Sequence, residues 1–187
     1  MNNIYAEILK RVENNEALTL KTEFTGSEGI MAESLKKTLA PYEPHTDMRG
    51  RCFADVTFEE SDDGHSVAGE PFSPPERLIV LGAGHIALPV CEFAAKSGFE
   101  VYVCDDRPSF ANEKRFPDAS QVLCDSFENC IKQLKITSYD YIVIITRGHT
   151  HDADCLREIF KGTQPAYLGL IGSRRRVRGL FEMLVEE

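Results

Sequence analysis

The stretch RLIVLGAGHIALPV (residues 77–90) decides how this chain is read. RLIVLG is a continuous apolar run behind one arginine, the pattern of a strand covered on both faces. Gly82, Gly84 and Ala87 then stand at the spacing G-x-G-x-x-A, which after a strand and before a helix is the phosphate-binding turn of dinucleotide folds. The first glycine permits the tight turn, the second lets a pyrophosphate approach the backbone, and the alanine lets the helix pack on the sheet. The start of the helix offers N–H donors and the positive end of its dipole to an anion. His85 follows the second glycine, where a dehydrogenase usually carries a small or apolar side chain. A plain strand-to-helix turn is the competing explanation.

Working outward, IALPVCEFAAKSG reads as a helix closed by Gly98, with Pro89 near its first turn, where a missing N–H costs least. EVYVCD (100–105), ASQVLC (119–124), DYIVIIT (140–146) and AYLGLIG (166–172) read as four further buried strands. FENCIKQLK, HDADCLREIFKG and SRRRVRGLFEMLVEE read as helices between or after them. Alternation of this kind predicts an α/β fold, a Rossmann-like doubly wound parallel sheet with right-handed crossovers. The expected strand order is 3-2-1-4-5, with the ligand crevice between the first and fourth strands.

Upstream, SDDGHSVAGEPFSPPE (61–76) is rich in Asp, Gly, Ser and Pro, lacks apolar periodicity, and reads as a linker. It separates a small N-terminal α+β domain (1–73) from the Rossmann-like domain (76–187). In the first part Ile4, Ile8, Leu9 and Val12 have helical spacing, and ALTLKTEFT looks like a strand. EGIMAESLKKTLA reads as a helix ending near Pro41, and RCFADVTFEE, alternating Cys52, Ala54, Val56 and Phe58, as a half-buried strand.

The 187 residues carry a net charge of −9. Residues 1–75 account for −7 of it and residues 76–187 for −2. An acidic chain with no basic stripe is a poor nucleic-acid binder. No apolar run approaches the roughly 20 residues that span a bilayer, and the opening MNNIYAEILKRVENN does not read as a signal peptide. Six cysteines without a C-x-x-C pair read as buried, reduced thiols, which fits the cytoplasm.

Ligands of doubly wound sheets bind outside the carboxyl ends of the strands. Asp105 lies 23 residues after Gly82, where a ribose-binding carboxylate belongs. Asp106 shares that position, Arg107 weakens the preference for an unphosphorylated ribose, and a cap or turn role is the plain alternative. After the fourth strand comes TRGHTHDAD. Gly148 relieves the turn, Thr150 is placed to cap the helix, and Asp152 and Asp154 fall in its first turn. His149 and His151 form an H-x-H pair without recognisable third and fourth ligands, so no metal site is expected. A donor or proton-carrying role beside an anion, or for His151 an exposed helix start, remain the alternatives. After the fifth strand, Gly172 and Ser173 read as turn and N-cap before Arg174, Arg175 and Arg176. These arginines either bind phosphate or form a solvated helix face. Within these 187 residues no stretch reads as the separate catalytic domain that dehydrogenases use to hold substrate.

Four motifs stand together in order: GAGHIALPV, VCDDRPSFANEKRFPDA, TRGHTHDADCL and YLGLIGSRRR. Over residues 77–182 the chain resembles the XdhC/CoxI family of xanthine dehydrogenase accessory proteins. That resemblance implies a cofactor-binding chaperone rather than an enzyme. It would bind molybdenum cofactor, a phosphorylated pterin, and help its sulfurated form enter a molybdenum hydroxylase of the xanthine dehydrogenase type. A cysteine desulfurase is the implied second partner, and a homodimer is compatible with the family. By motif, the implied cofactor-binding residues are Gly82, Gly84 and His85, then Asp105, Asp106 and Arg107, then Gly148, His149 and Asp152, and finally Gly172, Ser173, Arg174 and Arg175. Arg147 departs from the family pattern, since many members carry histidine there, and Cys52 matches no family cysteine. An NAD(P)-dependent oxidoreductase or a nucleotide-sensing module is the alternative function, both served by the same glycine turn.

Overall fold

A computed structural model describes residues 3–14, 16–25, 34–42, 45–46, 52–53, 56–60 and 65–185. The chain divides into two units, Met1–Pro74 and Pro75–Glu187. In the first, helix α1 (Ile4–Glu13) is opened by Asn3, whose side chain accepts the Tyr5 N–H at 3.2 Å. Strands β1 (Leu18–Thr25), β2 (Ser34–Pro41), β3 (His45–Thr46), β4 (Cys52–Phe53), β5 (Thr57–Glu60) and β6 (His65–Phe72) follow. Four of them form an antiparallel sheet in the order β2-β1-β6-β5, and β3 pairs with β4. Ile8 of α1 packs with Leu18 and Leu20 of β1 in a small apolar core.

Two expectations fail in this unit. Ser34–Pro41 is a strand paired along its length with β1, from Leu18↔Pro41 to Thr25↔Ser34, and not the end of a helix. Residues 28–33 of that expected helix lie outside the described residues. Cross-strand pairing outweighs the helical spacing here, and Leu39 alternates inward to meet the core under α1. The expected linker likewise contains β6, which lies between β1 and β5. Its short residues have a packing reason: a Cβ on Gly69 would sit 2.4 Å from the Thr57 hydroxyl oxygen of the neighbouring strand. Ala54 and Asp55, within the expected strand at 51–60, lie outside the described residues, and the parts on either side of them are β4 and β5.

The second unit is the doubly wound fold read from the sequence. Strands β7 (Arg77–Leu81), β8 (Glu100–Asp105), β9 (Gln121–Cys124), β10 (Tyr141–Ile144) and β11 (Tyr167–Leu170) alternate with helices α2 (Ala87–Lys96), α3 (Phe127–Leu134), α4 (His149–Phe160) and α5 (Arg174–Val185). The parallel sheet runs β11-β10-β7-β8-β9, which is the order 3-2-1-4-5. The apolar run of β7 serves both faces. Ile79 and Leu81 pack with Phe127, Leu156, Ile159 and Leu180 of α3, α4 and α5. Leu78 and Val80 pack with Ala87 and Cys91 of α2 and with Phe116. No helix among the described residues is long and apolar enough to cross a membrane.

At the amino edge of the sheet, Arg77 donates to both oxygens of Asp140 at 2.7 and 2.6 Å, and the Thr137 N–H donates to Asp140 Oδ2 at 2.7 Å. The Asp140 side chain is only 2% exposed, so it depends on these donors in place of water. The Asp140 carboxylate in turn raises the pKa of Arg77. Arg77→Ala leaves that carboxylate buried without its cation and is expected to cost about 3 kcal/mol. Urea unfolding followed by far-UV circular dichroism reads this as a lowered midpoint.

Candidate functional site

The carboxyl edge of the sheet is organised by one buried carboxylate. Asp105, at the end of β8, is 1% exposed. Its Oδ2 accepts the Ala83 backbone N–H at 2.8 Å and a guanidinium N–H of Arg107 at 2.9 Å. Its Oδ1 accepts the Arg107 backbone N–H at 3.1 Å and Nε–H at 2.8 Å. Burial pushes this carboxyl's pKa up, but the Arg107 guanidinium and the N–H groups of Ala83 and Arg107 outweigh it and hold the group below its ordinary value. Arg107 is held a second time, over the Phe110 ring at 3.7 Å from its centroid. The acid expected at a ribose is thus turned inward, where it fixes the glycine turn.

Asp106 faces outward, with 32% of its side chain exposed. Arg147, in the loop after β10, donates to both of its oxygens at 2.5 and 2.8 Å. That contact brings the Asp106 carboxyl down to about 2. Because β7 lies between β8 and β10, the pair spans the carboxyl end of β7, where the glycine turn begins.

The two glycines of the turn stand in different surroundings. Gly82 has φ +115°, and a Cβ there would lie 2.3 Å from the Ile145 carbonyl oxygen. Its N–H donates to the Cys104 carbonyl at 2.8 Å. Gly82 therefore sits against the β10 loop. A Cβ on Gly84 would meet no protein atom within 4 Å. His85 beside it is exposed. Helix α2 begins with no side-chain cap and no acidic residue in its first turn, so its first N–H groups keep their donor capacity for an anion.

The loop after β10 is tied to α5. Asp152, fully buried in the first turn of α4, accepts from the Thr146 hydroxyl and from the Arg176 guanidinium. Arg176 Nε is buried with no partner. Helix α4 begins at His149, after Gly148 in extended conformation with no side-chain cap, which places Thr150 within the helix rather than before it; its side chain lies outside the described residues. Asp154 pairs with Arg157 at 3.0 Å. The side chain of His149 lies outside the described residues. His151 packs edge-on against Phe127, ring centroids 5.6 Å apart. Both line a cleft of about 250 Å³ that also includes Asp106, Asp154, Arg157 and Lys161.

At the start of α5, Ser173 accepts the Arg176 N–H at 3.2 Å and caps the helix. A Cβ on Gly172 would sit 3.4 Å from Arg176 Cδ, so the stem of that arginine lies across the turn. Arg174 and Arg175 are exposed and form no ion pair among the described residues. Both stand in a first turn without acids, at the positive pole of the helix, which costs each a few tenths of a kcal/mol. A bound anion would offset that cost. Thr146 was not singled out from the sequence, Arg147 only as a departure from the family pattern, and Arg176, expected with its neighbours at a phosphate or in solvent, instead holds the buried Asp152. For Arg176 a signal existed, because the buried Leu180 lies four residues further along the same helix face.

The cysteines divide. Cys91, Cys104, Cys130 and Cys155 are buried, whereas Cys124 is exposed, against the expectation of buried thiols. The side chain of Cys52 lies outside the described residues. Burial pushes the Cys91 thiol up to about 12 and also raises Cys155. A hydrogen bond with Cys130 and burial raise Cys104 well above its ordinary value. These three are packing residues rather than nucleophiles.

Comparison with known proteins places this geometry. A family model described as the XdhC Rossmann domain matches residues 78–187. A probable xanthine dehydrogenase subunit of Bacillus subtilis (strain 168) is 33% identical over 107 residues, 57% of this chain and 32% of that protein. "Uncharacterized protein YqeB" of Escherichia coli (strain K12) is 32% identical over 113 residues, 59% of this chain and 20% of that protein. The chain thus spans about a third and a fifth of these relatives. A crystal structure of a xanthine dehydrogenase from Bacillus halodurans shares the fold with TM-score 0.67 at 22% identity, over 94% of this chain and 52% of that one.

Two outcomes follow from the turn. Gly82→Ala forces a side chain into left-handed backbone and into the Ile145 carbonyl, and is expected to destabilise by well over about 1 kcal/mol. Gly84→Ala leaves the urea midpoint unchanged. The Asp105 contribution, from a lowered carboxyl pKa, is fully present above the unfolded value of about 3.9 and is lost as pH falls through the folded one. The stability gap between wild type and Asp105→Asn, measured by urea titration, is therefore constant from neutral pH down to about 5 and shrinks below about 4.

Proposed function

Since the chain belongs to the family of XdhC Rossmann domains, we propose that it is the phosphate-binding part of an accessory protein to a molybdenum hydroxylase of the xanthine dehydrogenase type. The observation that carries this reading is the glycine turn. Gly84 leaves room that no atom of the described residues fills, beside an uncapped helix start with no acid in its first turn. The names of the relatives point to xanthine dehydrogenase, and the chain's own donors point to a phosphorylated cargo.

Molybdenum cofactor fits these residues. Backbone N–H groups at Gly84–Ala87 would receive its phosphate, with Arg147, Arg174 and Arg175 as further cations and His85 as an exposed donor. The cofactor, when bound, supplies the molybdenum centre that the hydroxylase uses. This chain's residues bind and orient it by its phosphate and keep it available for transfer. Association with the hydroxylase, sulfuration with a cysteine desulfurase, and pairing of two copies are the family functions proposed to follow. Among the described cysteines only Cys124 is exposed, so it is the one thiol there open to a sulfur donor.

The oxidoreductase alternative is less well served. A ribose diol needs a free carboxylate at the end of β8; both Asp105 oxygens are occupied by Ala83 and Arg107, and Asp106, the other acid there, is paired with Arg147 through both of its oxygens. The reading is tested by mixing the purified chain with molybdenum cofactor and measuring co-elution on gel filtration. Retention at micromolar concentration is expected for wild type, with loss in Gly84→Val and in the double variant Arg174→Ala/Arg175→Ala. NAD binding with no cofactor retention would replace this reading with the nucleotide-binding alternative.

A further inference from the structure

The carboxyl edge holds two arginine–aspartate pairs of unequal standing. Arg107 is fixed: its partner Asp105 is 1% exposed, and its guanidinium also lies over Phe110. Arg147 is 40% exposed, its partner Asp106 is 32% exposed, and the contact is purely between side chains. Exposed pairs of this kind contribute little to stability and exchange readily. The pair also joins the loops after β8 and β10 across the end of β7, beside the turn that offers its N–H groups to an anion. Arg107 also approaches Asp106, Nε to Oδ1 at 3.9 Å, so Asp106 stands between two guanidiniums and Arg147 holds it by the closer, bidentate contact.

From this arrangement we infer that Asp106 is a built-in competitor for Arg147, and that the competition sets the ligand class: phosphate or pyrophosphate is accepted, carboxylates are refused. Replacing the Asp106 carboxylate on Arg147 by another carboxylate exchanges one single charge for another and gains nothing. A phosphate group carrying up to two charges, with three oxygens for a planar fork, gains attraction to Arg147 in the exchange. The glycine turn then holds the same group from its other side. Released Asp106 is left facing the ligand as an acceptor for its hydroxyl or amino groups. This inference rests on the anion-binding reading of the turn and adds the residues that choose among anions.

The test is calorimetric titration of the full chain with inorganic pyrophosphate and with malonate in metal-free buffer. Wild type is expected to bind pyrophosphate and not malonate. Asp106→Asn is expected to bind pyrophosphate about fivefold more tightly and to gain measurable malonate binding. Arg147→Ala weakens pyrophosphate, and in that background Asp106→Asn brings little further change, because the competitor has lost its object. An equal gain from Asp106→Asn with and without Arg147 would reduce the effect to general loss of negative charge and overturn the inference. So would pyrophosphate binding that Gly84→Val abolishes but Asp106→Asn leaves unchanged, an outcome under which the glycine cradle still stands. Failure of pyrophosphate to bind wild type and Asp106→Asn alike overturns both. Circular dichroism of each variant confirms that the comparisons are made between folded proteins.

Discussion

A carboxylate removed from water must be surrounded by donors, and Asp105 is where this chain meets that demand. Three groups answer it: the Ala83 N–H in the glycine turn, and the backbone and guanidinium of Arg107. One group comes from the loop after β7 and the others from the loop after β8, so the carboxylate fixes the two loops against each other. Gly82 extends the constraint to the third loop, because the side chain it lacks is where the Ile145 carbonyl lies. The shape of the turn at the head of α2 therefore follows from a charge on the neighbouring strand and a missing Cβ.

The charged pairs of the parallel-sheet unit sort by burial, and burial sorts them by task. Arg77–Asp140 at the amino edge and Arg176–Asp152 at the carboxyl edge each enclose an acid that is 2% exposed or less. Such pairs hold scaffolding in place, since breaking one strands a charge. Arg176 joins the start of α5 to the start of α4, which keeps the GSRR turn and the GHxxD turn in a constant relation. The exposed cations lie around this edge, Arg147 on a partner that a ligand can displace and Arg174 and Arg175 without an ion pair among the described residues. Rigid pairs below and exchangeable charges above suit a site that binds an anion and later gives it up.

The parallel sheet was legible in the sequence because a strand covered on both faces must be apolar at nearly every position, and β7 and β8 are. The antiparallel sheet was not. Ser34–Pro41 mixes lysines with leucines at a spacing that suits a helix as well as a strand, and its pairing with β1 settled the matter. His65–Phe72 includes Ser, Ala, Gly and Pro, residues that also compose linkers, and at Gly69 the neighbouring strand leaves no room for a side chain. At the site, motif spacing located every loop but not the direction of each side chain. Asp105 and Asp106 are adjacent and alike in sequence, and strand geometry sends one inward and the other out. Three consecutive arginines on α5 likewise differ only in helical phase, and Arg176 is the one turned toward Asp152.

Gly82 and Gly84 are two residues apart, chemically identical, and answerable to different judges. The first is required by the protein's own backbone and would be retained by any descendant that still folds. A side chain at the second would meet no atom of the described residues within 4 Å, so the fold itself sets little against its replacement. A descendant with no use for an anion at this turn would be free to vary at position 84 while position 82 stayed glycine. The demands of the fold and the demands of a ligand would thus be recorded at separate positions.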